Sequence, residues 1–318
     1  MSRDAFDDVS DYRGTCPPIV PWALDGTLDL LQGAAALLAM VAAIATTVCI
    51  GIYVAPARSG PLGSAGGTHP AIPFNVQACM GLVPGWSCVV KFGSSDAAVV
   101  AVVEHIHRTG GLYVWPTVAD EIRVAAGGDA ADDQDGGGAC REVTVEGLDA
   151  SWDAQTVTLA TEGADVGTKS TETFIRVNRA WCSASGGVGV PNTGAIVIET
   201  EAGSTVAEIG PSQGQTEQAI YAIPDGQRCA LVAFEGNVAG GKVGNVSLYQ
   251  RKDADDVSVP VSSPRLVHEI NGLIGVGVAD LAAPIDDFNA RTDLYVAGLG
   301  AAGGLVINAK FSLLCRTL

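Results

Sequence analysis

The sequence is poor in aromatic residues, at 6%, and in charge, at 17%, and its charge leans one way: 18 Lys and Arg stand against 35 Asp and Glu, a formal net charge of −17. A chain that wraps nucleic acid needs clustered Lys and Arg to displace the counterions of phosphate, so the basic deficit argues against that class of partner. Sparse charge beside 47% hydrophobic residues excludes a disordered chain, which would show the reverse. The eight cysteines, at 16, 49, 79, 88, 140, 182, 229 and 315, contain no CxxC pair and no Cys/His cluster at zinc spacing, so structural zinc is not expected. They read as small buried hydrophobes, with Cys79 and Cys88 the one pair to test as a disulfide. No GxSxG elbow is present, so hydrolase chemistry of that type has no support.

What the sequence does contain is glycine, 40 residues of it, and short alternating stretches. From residue 141 onward these run REVTVEGL, AQTVTLAT, TFIRVNRAW, GAIVIET, STVAEIG, QAIYAIP, RCALVAFEG, GNVSLYQR, PRLVHEI, TDLYVAGL and GLVINAKFSLL. Period-two strands with frequent turn signals indicate a mainly β, antiparallel sandwich over 141–318. No helical pattern alternates with them, which excludes a doubly wound α/β fold. ALVAF and LYVAGL are apolar on both faces, as expected for central strands or for strands covered by a neighbouring subunit.

The chain before residue 141 divides into an acidic arm (1–29), an apolar helix (30–56), a Gly/Pro linker (57–73) and a mixed connecting segment (74–140). The apolar stretch carries no charge and is long enough to span a bilayer. Small residues recur along it every fourth position, at Ala35, Ala39, Ala43, Thr47, Gly51 and Ala55, which lets helix backbones approach closely. A membrane anchor, a helix bundle at a subunit interface and a helix packed in the protein's own fold all satisfy this pattern. Within 74–140 the sequence suggests a short helix at Ser95–Thr109, a strand-like piece at 112–117 and an exposed acidic turn at 127–138.

Four motifs carry possible chemistry. Gly298, Gly300 and Gly303 spell GxGxxG, but a strand rather than a helix follows, so a glycine hairpin is expected and no dinucleotide. Glu104, His105 and His107 lack a third ligand and read as surface side chains. Asp129, Asp132, Asp133 and Asp135 form a weak Ca²⁺ candidate whose spacing fails the EF-hand pattern. Asn245 in NVS is a glycosylation acceptor only in a eukaryotic host. No cofactor and no catalytic residue is assigned.

Seven pieces in one order resemble a family of virion proteins from tailed phages of aquatic bacteria and some large algal viruses: VKFG (90–93), GGLYVWPT (110–117), REVTVEGLDASWDAQTVTLATEG (141–163), TFIRVNRAW (173–181), PNTGAIVIET (191–200), QTEQAIYAIPDGQRCALV (215–232) and RTDLYVAG (291–298). The resemblance implies a jelly-roll-like sandwich serving as a non-enzymatic accessory capsid, vertex, fibre or spike component of the virion. A virion structural protein of this kind is expected to pack with further copies of itself, as trimers or pentamers, and with other virion proteins. The helix at 30–56, which the resemblance does not reach, would then be the anchor, in lipid or in protein. A receptor- or glycan-binding module on the same sandwich is the alternative. Physically, Trp152 is expected as a core plug behind a turn capped by Asp149 and Ser151. IPDG (223–226) is expected as a turn, and Thr292 and Asp293 as caps for backbone donors.

Overall fold

The structure, a computed structural model, describes residues 72–95, 102–125, 129–280, 287–300 and 305–318. The arm, the apolar stretch with its small-residue ladder and the linker as far as residue 71 lie outside the described residues. What is described is mainly antiparallel β. A short helix, α1 (Phe74–Cys79), precedes β1 (Trp86–Ser95), β2 (Glu104–His105), β3 (Asp120–Ala125), β4 (Cys140–Leu148), β5 (Ala154–Ala160), β6 (Thr173–Phe174), β7 (Arg176–Ser185), β8 (Ile196–Thr200) and β9 (Thr205–Ile209). The chain continues through β10 (Ile220–Ala222), β11 (Gln227–Val238), β12 (Gly244–Arg251), β13 (Arg265–Leu273), β14 (Gly275–Asp280), β15 (Asp287–Phe288), β16 (Asp293–Gly300) and β17 (Ile307–Thr317). All eleven stretches read from residue 141 onward contain strands.

The strands make two sandwiches. In the larger, a sheet ordered β1-β17-β11-β14 faces one ordered β10-β16-β12-β13, with β15 added to β11 and β2 to β16. Their inner faces share one core, in which Phe234, Phe288 and Phe311 are fully buried. The smaller sandwich faces a sheet ordered β6-β3-β8-β9 with one ordered β5-β4-β7, around Val143, Val145, Ile196, Ile198 and Ile209. It is inserted in the chain between β1 and β10, so a boundary at residue 141 does not follow sheet membership: β1 pairs with β17 over its whole length, and β3 belongs with β8.

Local physics explains what the pattern does not mark. β1 lacks clean alternation because its last three residues, Gly93 to Ser95, are all buried, with chain on both sides. At Gly93 a side chain has no room: a Cβ would stand 2.4 Å from the Ala219 nitrogen and 2.6 Å from the Ile106 oxygen. Residues 102–109 hold β2 and a turn instead of the expected helix, because β2 pairs with β16. Residues 112–116 are irregular rather than a strand. β16 and β17 lie in different sheets and do not pair with each other, so the expected glycine hairpin is not formed. Gly298 there faces Ile106 and Ile307 in the core.

Two disulfides staple the larger sandwich. Cys79–Cys88 ties α1 to β1, and Cys229–Cys315 joins directly opposed residues of β11 and β17, with Cα atoms 4.0 Å apart. The second pair has no signature in sequence, since its members lie 86 residues apart. Cys140 and Cys182 are free. The Cys140 thiol is pushed up by its hydrogen bond with Cys182 and by burial.

Candidate functional site

The seam between the two sandwiches concentrates the buried polar chemistry. Arg176 opens β7 and Asp293 opens β16, and both side chains are withdrawn from solvent. The guanidinium donates to both carboxylate oxygens, at 2.9 and 3.0 Å, and its third nitrogen donates to the carbonyls of Pro116 and Ile175, each at 2.7 Å. Arg251 donates to the same carboxylate at 3.0 Å. Trp115 and Trp152 lie over Arg176, with ring centroids 5.2 and 5.0 Å from its central carbon. Such a pair, dry and bidentate, is stable only while every partner stays in place. Trp152 is the expected plug, held at φ 69° in a turn where Asp149 accepts the N–H groups of Ser151 and Asp153. Its core is this seam. Asp293 is an ion-pair partner rather than a backbone cap, and the Thr292 hydroxyl is buried with no hydrogen-bond partner. Asn178 adds a peptide-like clasp, accepting from the Ala222 nitrogen at 2.8 Å and donating to its oxygen at 3.0 Å.

On one side of the seam lies a cleft of about 350 Å³ lined by Lys91, Glu146, Gln155, Thr156, Asn178, Arg179 and Tyr221, among others. Lys91 is buried and donates to the main-chain carbonyl of Asn178. Burial, assisted by the Arg179 charge and opposed by Glu146, lowers its pKa from 10.5 to about 7. Between those values the unfolded chain binds more protons than the folded one, so stability rises with pH through the window, and below pH 7 the full cost of burying the amine is felt. Raising the pH from 7 to 9 is expected to add about 2 kcal/mol to the unfolding free energy. Lys91→Met should flatten that rise in urea titrations, and an unchanged slope in the variant would contradict the assignment.

On the other side, β2 and the turn after it carry the two histidines against β16. Both are buried, at 8% and 5% exposure, and not surface side chains. The His105 ring lies 4.3 Å from the Tyr295 ring, and its Nδ1 accepts the Tyr113 N–H at 3.0 Å. His107 Nδ1 stands 2.6 Å from the Thr109 hydroxyl, while its Nε2 has no partner. Tyr113, Trp115, Tyr249 and Tyr295 pack beside them, and the Tyr113 hydroxyl donates to the Val206 carbonyl at 3.1 Å. The apolar outer face of β16 is thus covered by the chain's own residues 105–115. Burial lowers both imidazoles to about 4, His105 with help from His107 and His107 against a bond with the Gly111 backbone. In the unfolded chain they titrate near 6.5, so their contribution is complete above that pH and is lost as pH falls toward 4. Lowering the pH from 7 to 4.5 is expected to remove roughly 2 kcal/mol through each ring, about 4–5 kcal/mol through the two together. The loss should shrink in a His105→Phe, His107→Phe double variant, as read by the shift of the urea midpoint.

The four aspartates of the 129–135 loop do not converge on a cation. Asp132 is fully buried, and its carboxylate accepts the N–H groups of Cys140 at 3.0 Å, Thr193 at 3.0 Å and Gly194 at 2.7 Å. It ties the loop to the segment before β8. Asp129 and Asp133 each accept a backbone N–H two residues on, from Ala131 and Asp135. Among the described residues no group of three or more His, Cys, Asp or Glu is placed to hold a metal ion. Asn245 accepts the Gly272 N–H at 2.9 Å. Among the described residues no helix is long and apolar enough to cross a membrane, a finding that leaves residues 30–56 untouched.

Sequence reasoning missed Lys91, Arg176 and Arg251, and misread Asp293 and the histidines. The available signal was a charge set among apolar strand residues, Arg176 in TFIRVNRAW and Asp293 in TDLYVAG. Compared with models of known protein families and with curated proteins, the chain matches none.

Proposed function

We propose that this chain is a non-enzymatic structural protein of a virus particle, an accessory capsid or vertex component that assembles as a symmetric oligomer. Its larger sandwich reads as a jelly roll from the order of its strands. Counting only the eight main strands along the chain, one sheet runs first-eighth-third-sixth and the other second-seventh-fourth-fifth. Two interlocked Greek keys give that order, and the architecture recurs in capsid proteins, although it also serves lectins and cupins. The virion assignment therefore leans on the ordered sequence resemblance, with the strand order as its structural support. In this reading the smaller sandwich is an insertion between the first two strands, and the arm with the apolar residues 30–56 fastens the protein to the particle, in lipid or among other subunits.

The purified full chain is expected to sediment as one discrete oligomer with rotational symmetry in negative-stain images. Proteomics of virus particles whose genome encodes it is expected to find it at fixed stoichiometry to the major capsid protein. A monomeric chain that is absent from such particles would sink the proposal.

A further inference from the structure

We propose that Cys140 and Cys182 form a thiol–disulfide exchange site, at which a low-molecular-weight disulfide such as glutathione disulfide oxidises the two thiols to a further crosslink, Cys182 attacking and Cys140 resolving. Residues 120–209 hold these two cysteines and no others, and both are free. The two disulfides of the described residues lie in the larger sandwich. The reacting atoms of the free pair already meet: Cys140 opens β4, Cys182 lies on β7 beside it, and a hydrogen bond joins the two thiols. The register shifts twice between Cys140 and Val143, so β4 bulges there and sets Cys140 diagonal to Cys182. Closing the sulfurs from contact to bond length is then a local movement of two side chains and a bulge.

The two thiols differ in the way that exchange requires. Cys140 is buried, whereas Cys182 is partly exposed at the margin of the smaller core. The bond with Cys140, joined by one from the Asn192 backbone, holds the Cys182 thiol below its ordinary range against partial burial and the Asp132 charge. The same bond and burial push Cys140 up. Because the thiolate is the nucleophile, the accessible cysteine reacts first and the buried one second.

Cys182 gives its proton to water, and its sulfur bonds one sulfur of glutathione disulfide as the S–S bond there breaks. The departing glutathione thiolate takes up a proton. Cys140 then loses its proton, its sulfur bonds that of Cys182, and the second glutathione leaves as a thiolate that is protonated in turn. Two protein thiols are oxidised, and one glutathione disulfide is reduced to two glutathione thiols. The new bond lies beside the Asp132 carboxylate, which accepts the N–H groups of Cys140, Thr193 and Gly194. It gives the smaller sandwich a covalent staple, which among the described residues it lacks.

This site stands whether or not the protein belongs to a virus particle. The test is a peptide map of the full chain after incubation with glutathione disulfide, unfolding in urea with iodoacetamide, and digestion with trypsin. That digestion separates Cys140, in residues 124–141, from Cys182, in residues 180–228. The two peptides are expected to be linked and two hydrogens lighter than their sum, with no more than about a tenth of either cysteine alkylated. Cys140→Ser is expected to leave Cys182 as a persistent glutathione adduct, and Cys182→Ser to leave Cys140 unmodified. Full alkylation of both cysteines after treatment, a link from either of them to a different cysteine, or a glutathione adduct on Cys140 in the Cys182→Ser protein would each overturn the proposal. Should a Ser variant unfold, the peptide map of the parent chain alone decides.

Discussion

Asp293→Asn is expected to cost about 3–5 kcal/mol of folding stability, the penalty for leaving a buried charge without its counter-ion. The amide is nearly isosteric with the carboxylate, so little packing is lost. What is lost is the charge that balances Arg176, a side chain 2% exposed whose bidentate bond joins β7 of one sandwich to β16 of the other. Arg251 loses its ion-pair partner at the same time. Since the seam is where the two sandwiches meet, the urea midpoint should fall and cleavage by protease should appear around residues 209–219, between β9 and β10. The companion variant Arg176→Met, Asp293→Leu removes both charges and should recover much of the loss, because dry ion pairs are often matched by apolar side chains of similar volume. An Asp293→Asn protein within 1 kcal/mol of the parent, a margin well below the expected penalty, would show that the seam is wet and the pair weak.

Replacing Cys229 and Cys315 together by Ser is expected to remove about 4–5 kcal/mol, the largest effect of any substitution considered. The bond joins residues 86 apart, and closing so long a loop strips conformations from the unfolded chain. The two strands it joins, β11 and β17, are the centre of their sheet, so the unfolding that follows reaches the whole larger sandwich. Cys79 and Cys88, only 9 residues apart, serve as the internal control: the same calculation gives about 2.5 kcal/mol, and the segment released is α1 rather than a core strand. Denaturation of the two double variants side by side under oxidising conditions checks the ranking. Equal losses would mean that chain entropy does not govern the stabilisation.

Strand positions were largely legible because alternation is a local property. Each of REVTVEGL, GAIVIET and GNVSLYQR shows its buried face in the residues themselves, and each is a strand in the fold. β1 and β14 were not legible for opposite reasons. The end of β1 is covered on both sides, which erases alternation, and β14 is half glycine and short side chains on an edge. The site was far less legible. His105 and His107 two residues apart look like solvated side chains until β2 is laid along β16, and nothing local says that it will be.

The sequence by itself determined that the chain is β-rich, antiparallel and turn-punctuated, since side-chain period, turn residues and charge density need no partner to be read. The tertiary structure decided everything that depends on distant pairing: that residues 120–209 form a sandwich of their own inserted between β1 and β10, that Cys229 meets Cys315, that Arg176 finds Asp293 117 positions away, and that Asp132 feeds backbone donors instead of a cation. Sheets bring together residues by register and not by sequence proximity, so their cores can be inferred from a pattern while their sites cannot.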